Sequence, residues 1–446
     1  MARGKKKEEL TLEEKLERAL VPVEEQPYEV PENWCWTYLT IGFCECKDSF
    51  RKPINASERA KREGDIPYYG ATGQVGWIDD YLTDEQLVLV GEDGAPFLDT
   101  VKDKAYLIDG KAWVNNHAHI LKSYYGETGN KYIMNYLNSF NYKGYVNGTT
   151  RLKLTQASMN TIPVPLPPVQ EQQCIVEQIE KLFSKLDEVR EKVRSVIEQS
   201  KEDRAALIHK AYIGKLTKYW RKESGIDKSW EQIKIKELCK SLKYGTSKKS
   251  KEKGTMIVVR MGNLQNGEII WDNLAYTDDH EDIEKYMLEK GDVLFNRTNS
   301  SEWVGKTSIY RGEYPAIYAG YLIKLDYYRD KVIGDFLNYM LNSPKAKEYC
   351  NLVKTDGVNQ SNINAKKIGE FVIPVPSLEE QKEIVRILDV MSIKQKRILE
   401  LVEEVMEEIV LMKKSILSKA FRGKLSTNNS EEESSIELLK KILVET

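Results

Sequence analysis

Arginine and asparagine side chains set beside short apolar runs are the groups in this chain best placed to meet a ligand, and their chemistry is hydrogen bonding. Arg260 and Asn263 follow Met256-Ile257-Val258-Val259, and Asn296-Arg297-Thr298-Asn299-Ser300 follows Val293-Leu294-Phe295. A guanidinium pairs two-pronged with the edge of guanine and a carboxamide with the edge of adenine, so Arg260, Asn263, Asn296, Arg297 and Asn299 are candidate base readers. Nearby, Lys240, Lys243, Lys248, Lys249, Lys251 and Lys253 crowd one stretch, opposed locally only by Glu252. Gly245, Thr246 and Ser247 make that stretch a loop, whose lysines suit phosphate oxygens; a solvated loop without a partner is the competing reading. In the first half of the chain Arg51, Lys52, Arg59, Lys61 and Arg62 form the matching cluster, and Asn115-Asn116-His117 is a turn able to face a base edge.

Bond-breaking chemistry finds no such support. Gly305-Lys306-Thr307 resembles the end of a phosphate-binding loop, but Ser300 stands where that loop needs its first glycine, so Lys306 is grouped with the DNA-contacting candidates instead. Gly70, Gly73 and Gly76 follow Ile66-Pro67-Tyr68-Tyr69 and fit tight turns better than a dinucleotide site. His117 and His119 alternate along one strand face without a further His or Cys cluster to complete a metal site. The six cysteines (Cys35, Cys44, Cys46, Cys174, Cys239, Cys350) form no CxxC pair and fit reduced thiols. No Asn-Pro-Pro-Tyr or Asp-Pro-Pro-Tyr run is present, which leaves adenine methylation without its motif, and no Ser/His/Asp set emerges. Neither a metal nor a cofactor is expected on this chain.

The elements that position these residues follow from composition and periodicity. A chain of 446 residues with 41% hydrophobic content suggests two or three domains with real cores. The net charge of −2 means that any positive surface must be local. The start, MARGKKKEEL, lacks the apolar run of a signal peptide, and no stretch of about 18 apolar residues suggests a membrane span. A soluble, cytoplasmic protein is the expectation.

The chain repeats itself. Pro165-Leu166-Pro167-Pro168-Val169-Gln170-Glu171-Gln172 lies over Pro374-Val375-Pro376-Ser377-Leu378-Glu379-Glu380-Gln381 at an offset of 209 residues (381 − 172). The same offset, without a gap, carries Ala211 to Leu216 onto Ala420 to Leu425. One rigid element in each half, a helix, explains an ungapped register. In the second copy Ile384, Leu388, Met391, Gln395, Ile398, Val402, Val405, Ile409, Met412 and Ile416 step by four and three; in the first, Ile175, Ile179, Leu182, Leu186, Val189, Val193 and Val196 do so, followed by Ser200, Asp203 and Leu207. This is coiled-coil spacing, predicting two helices of about 40 residues and roughly 60 Å. Glycines at Gly214 and Gly423 supply the stops and the prolines the starts.

Upstream of each helix the pattern changes to strands. Leu87–Val90, Ala105–Ile108 and His119–Leu121 read as strands in the first half, as do Met256–Val259, Val293–Phe295 and Tyr321–Leu325 in the second. A short helix precedes each proline-rich segment, Tyr132–Asn138 and Phe336–Asn342. About 15 residues join the first long helix to the second strand-rich segment, too few to cross 60 Å unless fully stretched, so the helices are expected to pair antiparallel. Such a pair would hold two readers at a set distance, suiting two short sequences separated by unread bases.

These features together resemble the specificity subunits of type I restriction–modification enzymes. The resemblance rests on the duplicated Pro-x-Pro segments with Glu171-Gln172 and Glu380-Gln381, the Gly-Lys-Leu exits at Gly214 and Gly423, and the starts at Trp34 and Trp230. Gly291-Asp292-Val293-Leu294 and Ile66 to Gly70 add to it. It implies an α+β protein with internal pseudo-two-fold duplication: two strand-rich α/β target recognition domains (31–164 and 230–373) and two spacer helices (165–216 and 374–425) forming an antiparallel coiled coil. A charged extension (1–30), with Thr11-Leu12-Glu13-Glu14 as a capping box, would pack on a partner or on the tail; a linker (217–229) and the tail (426–446) complete the chain. The implied partners are double-stranded DNA, two methyltransferase subunits that bind S-adenosylmethionine, and motor–nuclease subunits that use ATP and Mg2+; no membrane is implied. The chain itself would be non-catalytic. A coiled-coil adaptor binding only protein, and an enzyme acting alone on nucleic acid, are the competing functions.

Overall fold

The computed structural model describes residues 10–226, 229–358, 360–429 and 431–445, so most of the basic start lies outside the described residues, as do 227 and 228 of the linker. Two compact units divide the chain, one built from residues 1–192 and 403–446, the other from 193–402. Two long helices, Val169–Tyr212 and Leu378–Ala420, each contribute to both units.

In the first unit Cys35–Tyr38 pairs antiparallel with Pro163–Leu166, Cys35 opposite Leu166 and Tyr38 opposite Pro163. Pro163 and Pro165 fall two apart, so both nitrogens face away from the ladder, where no donor is needed. A four-stranded antiparallel sheet runs Cys44–Cys46, Ala118–Ser123, Leu87–Gly91, Ala105–Ile108. A second sheet holds the hairpin of Ile66–Gly70 with Gly73–Ile78, and Gly73 takes a φ of +135° at its turn. The helix Gly126–Ser139 covers the first sheet and fastens the proline strand, Tyr132 donating to the Pro165 carbonyl at 2.8 Å. Within this unit the opening of the first long helix packs on the end of the second: Ile175, Val176 and Ile179 share a core with Leu417, Ala420 and Phe421.

The second unit repeats the plan with different strands. Glu231–Lys234 pairs with Val372–Val375, again at the root of a long helix. A six-stranded sheet runs Cys239–Tyr244, Leu322–Tyr327, Val293–Asn296, Thr307–Ile309, Glu268–Ile269, Leu264–Gln265. A three-stranded sheet places Met256–Val259 between Ala275–Thr277 and Ala316–Tyr318. Here the end of the first long helix meets the opening of the second, with Ile208 and Ala211 in one core with Ile384 and Leu388. Start against end in both units makes the pairing antiparallel within each.

The repeated residues do equivalent work at the two roots. The Trp34 indole donates to Glu171 at 2.7 Å, and the Trp230 indole to Glu380 at 3.0 Å. Gln172 donates to the Pro167 carbonyl and Gln381 to that of Pro376, both at 3.0 Å. Gly214 and Gly423, at φ of +70° and +65°, close the helix ends, their following lysines returning N–H bonds to Lys210 and Lys419. The helices start at Val169 and Leu378 rather than at the prolines, because Pro165 and Pro374 belong to the root strands.

The heptad reading of the first helix needs correction. Val189 and Val196 are 41% and 47% exposed, and Ile197 turns inward in place of Val196. The inner face repeats every 11 residues, through Ile175, Leu186, Ile197 and Ile208, because a helix of 3.6 residues per turn drifts off a strict seven-residue seam. Leu182 and Val193 are half-buried; Asp203 is exposed, with Arg204 in its place, while Leu207 is half-buried against the core beside buried Ile208. In the second helix Ile384, Leu388, Met391, Gln395, Ile398, Val402, Val405, Ile409 and Ile416 lie inward while Met412 is 49% exposed, and Gln395 donates to the Ser200 carbonyl at 3.4 Å.

The N-terminal extension packs on the tail. Thr11 and Glu14 form the capping box of Leu12–Ala19, and Lys15 donates to the carbonyl of Leu443 in the tail helix Ser435–Glu445 at 2.9 Å.

Candidate nucleic-acid interface

In the second unit three separate loops converge on one cleft of about 1150 Å3. The lysine loop after Cys239–Tyr244 brings Lys248 and Lys249; the turn after Met256–Val259 brings Arg260 and Asn263; the loop between Val293–Asn296 and Thr307–Ile309 brings Arg297, Asn299 and Lys306. Trp303 and Tyr321, each close to half exposed, add aromatic faces to the same walls. Cations, a carboxamide and rings on strand-anchored loops match what a duplex groove requires: charge for phosphates, planar donors for base edges.

The side chains in this cleft differ in freedom. Arg297 rests 4.8 Å from the Tyr244 ring centroid and donates to the Gly320 carbonyl at 3.3 Å, which aims the guanidinium. Asn299 accepts from the Ser300 N–H at 2.8 Å, leaving its amide donors unused by the described residues. Lys306 donates to Gln265 at 2.8 Å and sits over Trp303. Thr307 starts a strand rather than a helix, so Gly305-Lys306-Thr307 has no phosphate-loop geometry.

Several sequence-predicted readers prove structural. Asn263 is buried, accepts from Arg260 N–H at 2.9 Å and donates to the Ile270 and Asp272 carbonyls, both at 3.0 Å; it shapes its turn and has nothing left for a base. Asn296 is fully buried. The lysine run is also less bare than local sequence suggests, because folding brings carboxylates from far along the chain. Lys248 meets Asp279 at 2.7 Å, Lys251 meets Asp278 at 3.1 Å and Lys243 meets Asp326 at 3.5 Å. Lys249 and Lys253 remain exposed.

The first unit shows the same sorting. Arg51 is bound to Asp48 at 2.9 Å and to Glu92, beside buried His119, whose ring nitrogens meet Asp48 at 2.6 Å and the Leu154 carbonyl at 2.9 Å. That network is a core clamp, so neither Arg51 nor His119 faces a ligand. Asn115 is buried and accepts the His117 N–H at 2.8 Å, while His117 meets Asp93 at 2.7 Å; Asn116 alone of the three is exposed. Lys52 and Arg62 lie over the Trp113 ring, Arg59 over Tyr68, and Arg62 also pairs with Asp79 at 2.6 Å. Lys61 is exposed in the turn that follows the short helix Ala56–Arg59. The exposed rings of Trp77 and Trp303 were not singled out by sequence; a tryptophan three residues from a lysine, as at Trp303 and Lys306, was the available signal.

Nucleophilic chemistry has little footing among the described cysteines, since burial pushes the Cys35, Cys239 and Cys350 thiols up to about 12. Among the described residues no His, Cys, Asp and Glu group is set to hold a metal ion. No described helix is long and apolar enough to cross a membrane.

Comparison with known proteins gives one consistent answer. Residues 41–199 and 227–405 match the model of the type I restriction modification DNA specificity domain. The chain is 28% identical over 303 residues to the EcoKI specificity subunit of Escherichia coli K12, covering 65% of each chain. It is 25% identical over 304 residues to the StySPI specificity subunit of Salmonella potsdam, covering 66% of this chain and 65% of that one. The match thus spans slightly under two-thirds of these relatives' length. In fold it resembles a chain from a structure on complex assembly and conformational transition of a type I R-M system, with a TM-score of 0.64, 18% identity, and 90% and 100% of the two chains covered. The HsdS subunit from Thermoanaerobacter tengcongensis aligns over the same shares with a TM-score of 0.51 and 17% identity.

Proposed function

Because the chain belongs to the type I restriction–modification DNA specificity family, we propose that it is the sequence-reading, non-catalytic subunit of such a system. Each recognition domain reads one half of a split, asymmetric duplex site. The observation that carries this reading is the cleft of the second unit, where Arg260, Arg297, Asn299, Lys249 and Lys306 converge from loops distant in sequence. In the first unit the face carrying Lys52, Arg59, Lys61, Arg62 and Asn116 takes the corresponding part. The long helices scaffold two methyltransferase subunits, which carry S-adenosylmethionine, while motor–nuclease subunits carry ATP and Mg2+. Cytoplasmic DNA is the substrate of the assembly.

Gel-shift titration of duplex libraries, with and without the methyltransferase subunits, tests the reading. Sequence-dependent retention is expected, and its absence in both conditions would favour a protein-only adaptor. Binding of S-adenosylmethionine or ATP by the isolated chain would favour an enzyme in its own right.

A further inference from the structure

A second cavity of about 650 Å3 lies within the second unit, walled by the recognition domain and by both long helices. Lys201 and Arg204 come from the first helix, Gln395 from the second, Trp303 and Lys306 from the turn before Thr307–Ile309, and Lys347 from the helix Pro344–Val353. Four of its lining residues are cations, and Glu302 is the one carboxylate among them.

Lys201 is answered by Glu198 at 2.8 Å. The other three cations make no ion pair among the described residues. Arg204 donates to the Asn266 carbonyl at 2.9 Å, and its Nε is buried with no partner. Asn266 holds that carbonyl in place from a left-handed turn, at a φ of +54°. Lys306 donates to the neutral Gln265 and sits over the Trp303 ring, and burial together with the Lys347 charge outweighs Glu302 and holds its ammonium below the usual lysine range. Four cations against the single lining carboxylate Glu302 leave the cavity with excess positive charge, and an anion entering would relieve the repulsion among them.

We propose that this cavity binds a phosphate group, presented by the DNA backbone beside the half-site that the second domain reads. Arg204, Lys306 and Lys347 surround the non-bridging oxygens, and the Trp303 ring borders the sugar side. The cavity and the cleft share Gln265, Trp303 and Lys306, so a strand leaving the cleft runs directly into it. This proposal rests on the recognition reading. A free mononucleotide offers the same phosphate chemistry and is the other source to be distinguished.

The test uses the full chain and the double variant Arg204→Gln, Lys347→Gln, with Arg204→Lys as the charge-retaining control and thermal melts to confirm folding. Duplexes with and without the recognised site are titrated across salt concentrations. The double variant is expected to weaken both duplexes by the same factor and to lower the slope of log affinity against log salt by about 1 for each phosphate it no longer neutralises, with base preference unchanged. Arg204→Lys should keep the slope. Calorimetry with dAMP and with inorganic phosphate forms the second arm: saturable binding that the double variant loses, with an unchanged DNA slope, assigns the site to a free nucleotide. An unchanged slope together with no binding of either small anion overturns the proposal. If wild-type chain shows no base preference, the recognition reading fails, and the slope and calorimetry still decide the cavity.

Discussion

Glu171 and Glu380 occupy equivalent places and differ in one neighbour. Both accept from a tryptophan indole, but Glu380 is also paired with Arg221, whereas Glu171 meets only the neutral donors Trp34, Thr427 and Asn428. Burial accordingly raises the Glu171 carboxyl above its ordinary range. Glu171→Gln is expected to be neutral or stabilising near neutral pH, since it removes an uncompensated charge and keeps an acceptor. Glu380→Gln strands Arg221 and is expected to cost on the order of 3 kcal/mol, read from urea midpoints. Asp48 behaves oppositely. Burial would raise its carboxyl, but hydrogen bonds from His119 and the Ile120 N–H, with the His119 and Arg51 charges, outweigh burial and hold it below the usual range. Its contribution is therefore present above the ordinary carboxylate pKa and lost as pH falls through the lowered value. Asp48→Asn should flatten the acid limb of stability against pH, below about pH 4. Among cleft residues Arg297→Lys should relax one base position of one half-site by about 1–3 kcal/mol in competition binding, while leaving the other half-site intact. Asn263→Ala should instead lower stability, because it leaves the Arg260 N–H and two carbonyls without their bonds.

At the scale of elements, the long helices and the strands beside the cleft were readable because their signals are local. Spacing of Ile, Leu and Val marked the helices, and runs such as Leu87–Val90 and Val293–Phe295 marked strands that the structure contains. What escaped depends on residues far apart in sequence. The prolines at 165 and 374 belong to strands because Trp36 and Gln232 lie opposite them. Lys248 and Lys251 lose bare charge because Asp279 and Asp278 fold back on them. Asn263 and Asn296 have the right side chains for base edges, but burial, invisible in composition, turns them to structural work. The 11-residue inner repeat of the first helix was hidden by valines at 189 and 196 that keep heptad spacing without facing inward.

For the whole molecule, the duplication repeats one scaffold, a root strand pair and a long helix, beneath two different sets of sheets. The roots share the indole–carboxylate and glutamine–carbonyl bonds, while the sheets differ in strand order and number. Removing seven residues from each long helix shortens each by about 10 Å, and the unread gap of the target should shorten with it. The most direct measurement of the central claim is the methylome of cells expressing this chain with its methyltransferase partner. Modified adenines are expected within a two-part motif whose halves differ and whose gap is fixed, with only one half relaxed by Arg297→Lys. Modification in a single continuous motif, or a change in both halves from that one substitution, would contradict it.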